Sequence, residues 1–201
     1  MGVIIEVGAN EGQDTEYFLR QNKPVYCFEP IPNHAKMLWD RFGKDPNFHL
    51  MTIAIDLENG FRKFNIEQRA EWGCSSLHDV APDNPNQIHY TTHIEKVMCM
   101  RLDTFMDLYN ITEVDYIHID TQGNDFRVLQ SLGSKIDLIK EGVAEAAQTK
   151  QYYNVEDNTV EAVSSWLISK GFKIQVVDDG IGKEHLGVIP NGHEANIFFK
   201  R

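Results

Sequence analysis

Residues 3–19, VIIEVGANEGQDTEYFL, decide the fold of this chain. An apolar run ends at Gly8, a short turn carries a second glycine at Gly12, and a helical pattern follows. A strand, a glycine turn and a helix in this order predict the start of an α/β fold. Asn10 stands where the dinucleotide-binding turn G-x-G-x-x-G has its middle glycine. The turn therefore favours a ligand that uses the helix N-terminus without pressing a pyrophosphate against the backbone.

The alternation of strands and helices continues along the chain. Predicted strands cover residues 24–30, 48–55, 114–120, 141–147, 172–178 and 196–200, and predicted helices cover 13–19, 33–42, 124–132 and 158–171. Asn33 and Asn124 are the expected N-caps of two of these helices. Strands at 61–66 and 97–102 flank a loop-rich excursion. The pattern predicts a mostly parallel sheet with helices on both faces and ligands at the carboxyl ends of the strands. The two closing strands are expected to pair antiparallel at one edge.

Composition limits the classes of protein to consider. The 201 residues suit one domain, residues 1–201, and the net charge of −11 argues against nucleic acid or an anionic membrane as a partner. Three widely spaced cysteines without a CxxC pair predict free thiols in a reducing compartment. Because no bilayer-spanning run or signal peptide is visible, we expect a cytoplasmic protein. The strand that follows Gly2 so closely suggests a domain excised from a longer polypeptide.

Two acidic residues accompany the glycine turn. Glu6 lies just before it, and Glu29 ends the second predicted strand about twenty residues further on, where a carboxylate accepts the hydroxyls of a ribose. A cationic ligand that carries adenosine fits such acidic surroundings. The residues therefore favour S-adenosylmethionine. A nicotinamide-dependent oxidoreductase is an alternative on the same sheet, and Asn10 in place of the middle glycine counts against it.

Several motifs along the chain resemble one family. The stretches EVGANEGQDT, FEPIP, AID, SSL, RLDTF and IHIDTQGNDFRVLQSL follow one another as in the FkbM-like methyltransferases, a branch of the class I S-adenosylmethionine-dependent enzymes. The resemblance implies a seven-stranded Rossmann-like, doubly wound sheet and O-methylation of sugars or sugar-bearing compounds. A fusion to glycosyltransferase domains would suit a glycan acceptor. In this chain the family pattern KIDVEGxE reads HIDTQGND, so that Gln122 and Asp125 replace two glutamates.

The resemblance also implies a cofactor site. Glu6 and the glycine turn would lie along the methionine part, Glu29 on the ribose, residues 54 and 55 beside the adenine, and two serines would approach from the excursion. The expected cofactor residues are Glu6, Gly8, Ala9, Asn10, Gly12, Glu29, Pro30, Ala54, Ile55, Ser75 and Ser76.

Asp120 is the candidate catalytic residue, because it ends a central strand where a general base could deprotonate a hydroxyl. His118, two residues earlier, shares its face and is more simply a buried, hydrogen-bonded histidine. Residues that could contact the acceptor are Gln122, Glu145, Tyr152 and Tyr153. The loss of a glutamate at Gln122 favours a metal-free reaction. It also keeps open a catalytically silent domain that binds only a cofactor or a protein partner.

Overall fold

The computed structural model describes residues 2–67, 73–82, 92–148, 153–178 and 194–201. Its strands and helices alternate through most of the chain, and a 3-10 helix, Gly133–Leu138, precedes the eighth strand. The strands are β1 (Val3–Val7), β2 (Val25–Phe28), β3 (Phe48–Met51), β4 (Ala54–Ile55), β5 (Gly60–Glu67), β6 (Thr92–Met100), β7 (Val114–Ile119), β8 (Ile139–Ala147), β9 (Lys173–Asp178) and β10 (Glu194–Lys200). The helices are α1 (Thr15–Leu19), α2 (Pro32–Phe42), α3 (Leu102–Leu108), α4 (Asp125–Ser131) and α5 (Val160–Ser169).

The main sheet has seven strands in the order β3-β2-β1-β7-β8-β10-β9. The first five strands in this order, β3, β2, β1, β7 and β8, pair in parallel. Strand β10 runs antiparallel to both of its neighbours, β8 and β9. The predicted mostly parallel, seven-stranded Rossmann-like sheet is confirmed. The reversed strand lies one place in from the edge, with β9 outside it. The strand order changes direction between β1 and β7, which is where open α/β sheets bind ligands.

Helices cover both faces of this sheet, as predicted. On one face Ile4 packs with Phe18 of α1 and Leu38 of α2 in one apolar cluster. On the other face Ile5 belongs to a larger cluster that includes Phe105 of α3 and Val163 of α5. Successive residues of β1 point to opposite faces, so this single strand contributes to both cores.

The predicted strand 48–55 is wrong as one element. Its first half is β3, at the edge of the main sheet, and its second half is β4, which pairs with β6. The chain leaves the main sheet at Ile53, and the backbone of β4 finds its partner in a second, three-stranded sheet of order β4-β6-β5. The loop-rich excursion is thus anchored by a long antiparallel hairpin of β5 and β6.

The predicted N-cap of α2 is also wrong. The helix begins at Pro32, with Ile31 as N-cap, and Asn33 lies inside the first turn. Proline suits the first position because its missing N–H would have no partner there. Asn124 is the N-cap of α4 as expected. None of the helices in the described ranges has the length and apolarity needed to cross a bilayer.

Candidate functional site

An open cleft of about 550 Å³ lies at the carboxyl ends of β1, β2 and β7. Nine of its lining residues were predicted from the sequence: Gly8, Asn10, Glu29, Pro30, Ala54, Ile55, Ser75, Asp120 and Gln122. Ten were not: Val7, Phe28, Ile31, His34, Ile53, Phe64, Gly73, Leu77, Thr121 and Asn124.

The glycine turn, residues 8–12, is held against its neighbours by the backbone. Gly8 has a φ of +89°, and a Cβ at this position would overlap the carbonyl oxygen of Asp120. The amides of Gly8 and Ala9 donate to the carbonyl of Phe28. Asn10 also lies in the left-handed region, with a φ of +48°. Glycine is required at position 8 because only a residue without a side chain lets β1 and β7 end so close together.

Glu29 is oriented by two backbone amides. The amide of Asn10 donates to Oε2 at 2.9 Å, and the amide of Ile31 donates to Oε1 at 2.7 Å. The side chain is 4% exposed, and burial raises its pKa to about 7, although the two N–H groups act in the opposite direction. The glycine turn therefore fixes a carboxylate that lines the cleft, and each oxygen retains a lone pair for a ligand hydroxyl.

His34 stands beside this carboxylate. Its Nδ1 lies 3.9 Å from Oε1 of Glu29, is buried, and has no hydrogen-bond partner within the described ranges. Burial lowers the pKa of this imidazole, which favours its neutral form. A buried polar atom without a partner is uncommon, and a ligand hydroxyl between His34 and Glu29 would satisfy it.

Glu6 lies beneath the glycine turn and does not line the cleft. Its Oε2 accepts hydrogen bonds from Thr15 Oγ1 at 2.7 Å and from Cys27 Sγ at 3.0 Å. Burial raises its pKa to about 7, with smaller opposing effects from these two donors. Glu6 therefore ties β1 to the start of α1 and to β2. Within the described residues Cys27, Cys74 and Cys99 form no disulfide bond.

The acid turn, residues 120–124, follows β7 and contributes Asp120, Thr121, Gln122 and Asn124 to the lining of the cleft. Gln122 has a φ of +56°, and its Nε2 donates to Oδ1 of Asp120 at 2.7 Å. Ser76 Oγ donates to the carbonyl of Gln122 at 2.6 Å. Burial raises the pKa of Asp120, and the hydrogen bond from Gln122 and the nearby His118 oppose this rise. Asp120 thus presents a positioned carboxylate to the cleft.

Asp125 links the acid turn to the backbone of β8 at Glu145. Oδ2 of Asp125 accepts the hydroxyl of Thr121 at 3.0 Å, and Oδ1 accepts the backbone amide of Glu145 at 3.2 Å. Neither carboxylate lines the cleft. Within the described ranges no group of three or more His, Cys, Asp or Glu side chains could hold a metal ion.

A mainly apolar wall forms another part of the cleft. Pro30, Ile55, Phe64 and Leu77 contribute to it. Asn124 adds an amide whose Nδ2 donates to the carbonyl of Ile55 at 2.9 Å. The sequence indicated Asn124 only as a helix cap, and its second role depends on a contact across 69 residues. The wall can hold a planar, partly polar ring.

The remaining predicted residues support the cleft from outside it. Ala9 and Gly12 are the buried members of the glycine turn and do not line the cleft, and Gly12 faces Leu38 and Phe42. Ser76 acts through the backbone of Gln122. Tyr153 is 2% exposed, so its ring is not open to a ligand. Tyr152 lies outside the described residues.

Comparison with known proteins identifies the family of the chain that forms this cleft. A model described as "Methyltransferase FkbM domain" matches residues 6–174, which include both turns. This chain belongs to the FkbM methyltransferase domain family. A curated relative, 2-O-methyltransferase NoeI of Sinorhizobium fredii (strain NBRC 101917 / NGR234), is 28% identical over 146 residues, or 69% of this chain. The chain spans 59% of that relative's length.

Solved structures share the fold of this FkbM chain. An rRNA methylase from Streptococcus thermophilus has a TM-score of 0.52 at 11% identity, covering 100% of this chain and 86% of the other. Aeropyrum pernix fibrillarin, solved with natively bound S-adenosyl-L-methionine, has a TM-score of 0.52 at 11% identity, covering 98% and 66%. At such identities the likeness establishes the Rossmann-like fold alone.

S-adenosylmethionine is the cofactor of the FkbM family, and the cleft of this chain fits it. Glu29 and the Nδ1 of His34, which has no partner in the described part of the chain, offer partners for ribose hydroxyls. The apolar wall suits an adenine ring, and the amide of Asn124 lies at its edge. The carboxylates of Glu29 and Asp120 suit a ligand with positive charge.

Proposed function

We propose that this chain is an S-adenosylmethionine-dependent O-methyltransferase that acts on a hydroxyl of a sugar or glycan, with Asp120 as general base. The proposal is carried by the Asp120 carboxylate, which lines the same cleft as Glu29 and has one oxygen held by Gln122. The name of the Sinorhizobium relative, a 2-O-methyltransferase, supports oxygen as the acceptor atom. The sugar class rests on the resemblance to FkbM-type enzymes.

The residues of the cleft divide between holding the cofactor and serving the acceptor. In this proposal Glu29 and His34 bind the ribose, the apolar wall and Asn124 hold the adenine, and the glycine turn lies along the methionine part. When bound, the cofactor supplies a methyl group that its sulfonium charge activates. The carbonyl of Asp120 packs against Gly8, so the acid turn and the methionine side of the site are adjacent.

Methyl transfer to a hydroxyl has two requirements, which are positioning of the acceptor oxygen and removal of its proton. The acceptor oxygen must stand in line behind the methyl group, and such positioning supplies much of the rate. The hydroxyl must also lose its proton as the new C–O bond forms and the S–C bond breaks. Asp120 accepts this proton, and a positioned general base typically contributes about 10²–10⁴-fold. Its carboxylate form is therefore the active one.

Isothermal titration with S-adenosylmethionine and with NAD tests the cofactor assignment. We expect heat from S-adenosylmethionine alone, and its loss in Glu29→Ala. Binding of NAD alone would overturn the methyltransferase proposal. The acceptor is then sought by transfer of a labelled methyl group from the cofactor to a panel of mono- and oligosaccharides.

The base is tested with Asp120→Asn. We expect kcat to fall by about 10²–10⁴-fold, because the amide cannot accept a proton, while the affinity for S-adenosylmethionine changes less than threefold. A variant with wild-type kcat would remove Asp120 as base. Cofactor binding by the wild type without transfer to any saccharide in the panel would favour the silent binding domain.

A further inference from the structure

Three side chains form a line of hydrogen bonds that ends in the cleft. The hydroxyl of Tyr153 lies 2.9 Å from Oε1 of Gln122, and Nε2 of Gln122 lies 2.7 Å from Oδ1 of Asp120. Tyr153 is 2% exposed, Gln122 is partly buried, and both Gln122 and Asp120 line the cleft. The line therefore runs from the protein interior to the proposed base.

The donors and acceptors along this line have one consistent order. An ionised carboxylate only accepts hydrogen bonds, so the amide must present its N–H₂ group to Asp120. Its oxygen then faces Tyr153, whose hydroxyl donates to it. The same hydroxyl lies 3.2 Å from the carbonyl of Cys74, another acceptor. The carboxylate thus sets the orientation of the Gln122 amide, and Tyr153 supports it by donating to the amide oxygen.

The backbone around Gln122 is shaped to permit this contact. Gln122 occupies the left-handed region at a φ of +56°, and Gly123 follows at +93°. A Cβ on Gly123 would come within 2.8 Å of Cδ2 of Tyr153, so the glycine makes room for the ring. Ser76 holds the Gln122 carbonyl. A left-handed non-glycine residue is strained and persists where its surroundings determine it.

We propose that Gln122 and Tyr153 are positioning residues for Asp120. Gln122 binds Oδ1 and leaves Oδ2 to receive the proton of the acceptor hydroxyl, and Tyr153 supports this orientation of the Gln122 amide by donating to its oxygen. The inference rests on the proposed role of Asp120 as base. It assigns a role to Gln122, one of the positions at which the chain departs from the family pattern, because glutamine can donate to a carboxylate and an ionised glutamate cannot.

Other charged groups around Asp120 set the direction of the expected change. His118 on β7 favours the carboxylate, whereas Asp14, before α1, disfavours it. Asp125, at the start of α4, is itself buried, and the charge of Asp120 contributes to its raised pKa. In this acidic setting the N–H of Gln122 is a stabilising donor for the carboxylate. Its removal raises the pKa of Asp120, so that less of the base is ionised at a given pH.

Two variants and two matched controls test the line. Gln122→Glu replaces the donor with an acidic group, and Tyr153→Phe removes the hydroxyl while keeping the buried ring. Gln21→Glu and Tyr17→Phe make the same chemical changes at exposed positions of the α1 region. The primary readout is the pH titration of the Asp120 side-chain ¹³C carboxyl resonance in the protein without substrate, assigned by its absence in Asp120→Asn.

We expect the titration midpoint of Asp120 to move to higher pH in both variants, further in Gln122→Glu, and to stay in place in both controls. With an acceptor in hand, the acid limb of kcat/KM moves in the same direction. At pH 6.5 kcat/KM falls about tenfold in Gln122→Glu and about threefold in Tyr153→Phe.

The outcomes distinguish the positioning role of Gln122 and Tyr153 from the role of Asp120 as base. An unmoved midpoint in folded Tyr153→Phe and Gln122→Glu overturns the positioning role, even if Asp120→Asn is inactive. Conversely, a moved midpoint together with an active Asp120→Asn supports the contact and removes Asp120 as the base. If Gln122→Glu does not fold, Tyr153→Phe carries the test, because its ring packing is preserved.

Discussion

The two turns that meet at the centre of the cleft are built in opposite ways. The glycine turn presents backbone, and its amides orient Glu29 and hold the carbonyl of Phe28. The acid turn presents the side chains of Asp120 and Gln122, which other parts of the chain hold in place. In the first, small residues permit close approach; in the second, distant residues impose an arrangement. The difference shows that two neighbouring turns can depend on the sequence over very different ranges.

The largest expected effect is the loss of stability in a variant that breaks the contact between the two turns. In Gly8→Ala the new Cβ would overlap the Asp120 carbonyl, a rigid backbone atom. Gly171→Ala is the matched control, since Gly171 has a similar φ of +86° and a Cβ there would meet only Arg201 Nη1, at 3.8 Å, among the described residues. We expect a loss of about 1 kcal/mol from left-handed strain in the control.

The Gly8→Ala variant should lose at least about 3 kcal/mol, or fail to fold. Chemical denaturation of both variants measures the difference. Equal losses in Gly8→Ala and Gly171→Ala would mean that the turns separate easily and that their contact is unimportant.

A second prediction tests whether the glycine turn acts through Glu29. Two backbone N–H groups and a ribose favour the carboxylate form, so the affinity for S-adenosylmethionine should fall as the pH drops through about 7. In Glu29→Gln the affinity should be about 10- to 100-fold lower at pH 8, with little dependence on pH. Isothermal titration from pH 6 to 8.5 measures both. A variant with the pH dependence of the wild type would assign the titration to another group.

A third prediction concerns the support under the glycine turn. The pKa of Glu6 rises from 4.5 to about 7 on burial, so the folded state holds the proton more tightly. Its contribution to stability is complete below pH 4.5 and is lost as the pH rises through about 7. Glu6→Gln removes this decline.

Between pH 5 and 8 the Glu6→Gln variant should therefore lose less stability than the wild type, by at most about 3 kcal/mol. Urea unfolding at the two pH values tests this. Because Glu6 lies outside the cleft, the affinity for S-adenosylmethionine should change less than threefold. Parallel pH profiles of the variant and the wild type would exclude Glu6 as the titrating group.

The glycine turn and Glu29 could be located from the sequence for a physical reason. Gly8, Asn10 and Glu29 act within two adjacent strand-turn units, and their spacing carries the information. Asn124 and His34 also line the cleft, yet one looked like a cap and the other like any residue of a helix. Their roles depend on what the fold brings opposite them.

For Tyr153 the sequence indicated the position in the fold but not the direction in which the ring points. Its neighbourhood indicated a residue at the ligand end of the sheet, and the structure places it there. Its ring packs against Gly123 instead of facing the cleft, because the left-handed backbone of the acid turn opens a space beneath Gln122. Likewise, nothing in the apolar run 48–55 indicates that its second half pairs with β6 in another sheet. Periodicity reports which residues are buried, and not which partner buries them.

The position of β10 has a consequence for how the protein is made. This strand follows β9 in the chain but lies between β8 and β9 in the sheet. During synthesis on the ribosome, β8 emerges long before β10. The edge of β8 that pairs with β10 therefore stays unpaired until residues 194–200 have been made. An unpaired edge of this kind is prone to join another chain. A ribosome that stalls ahead of residue 194 would therefore release a product with the cleft-forming strands in place and an adhesive edge beside them.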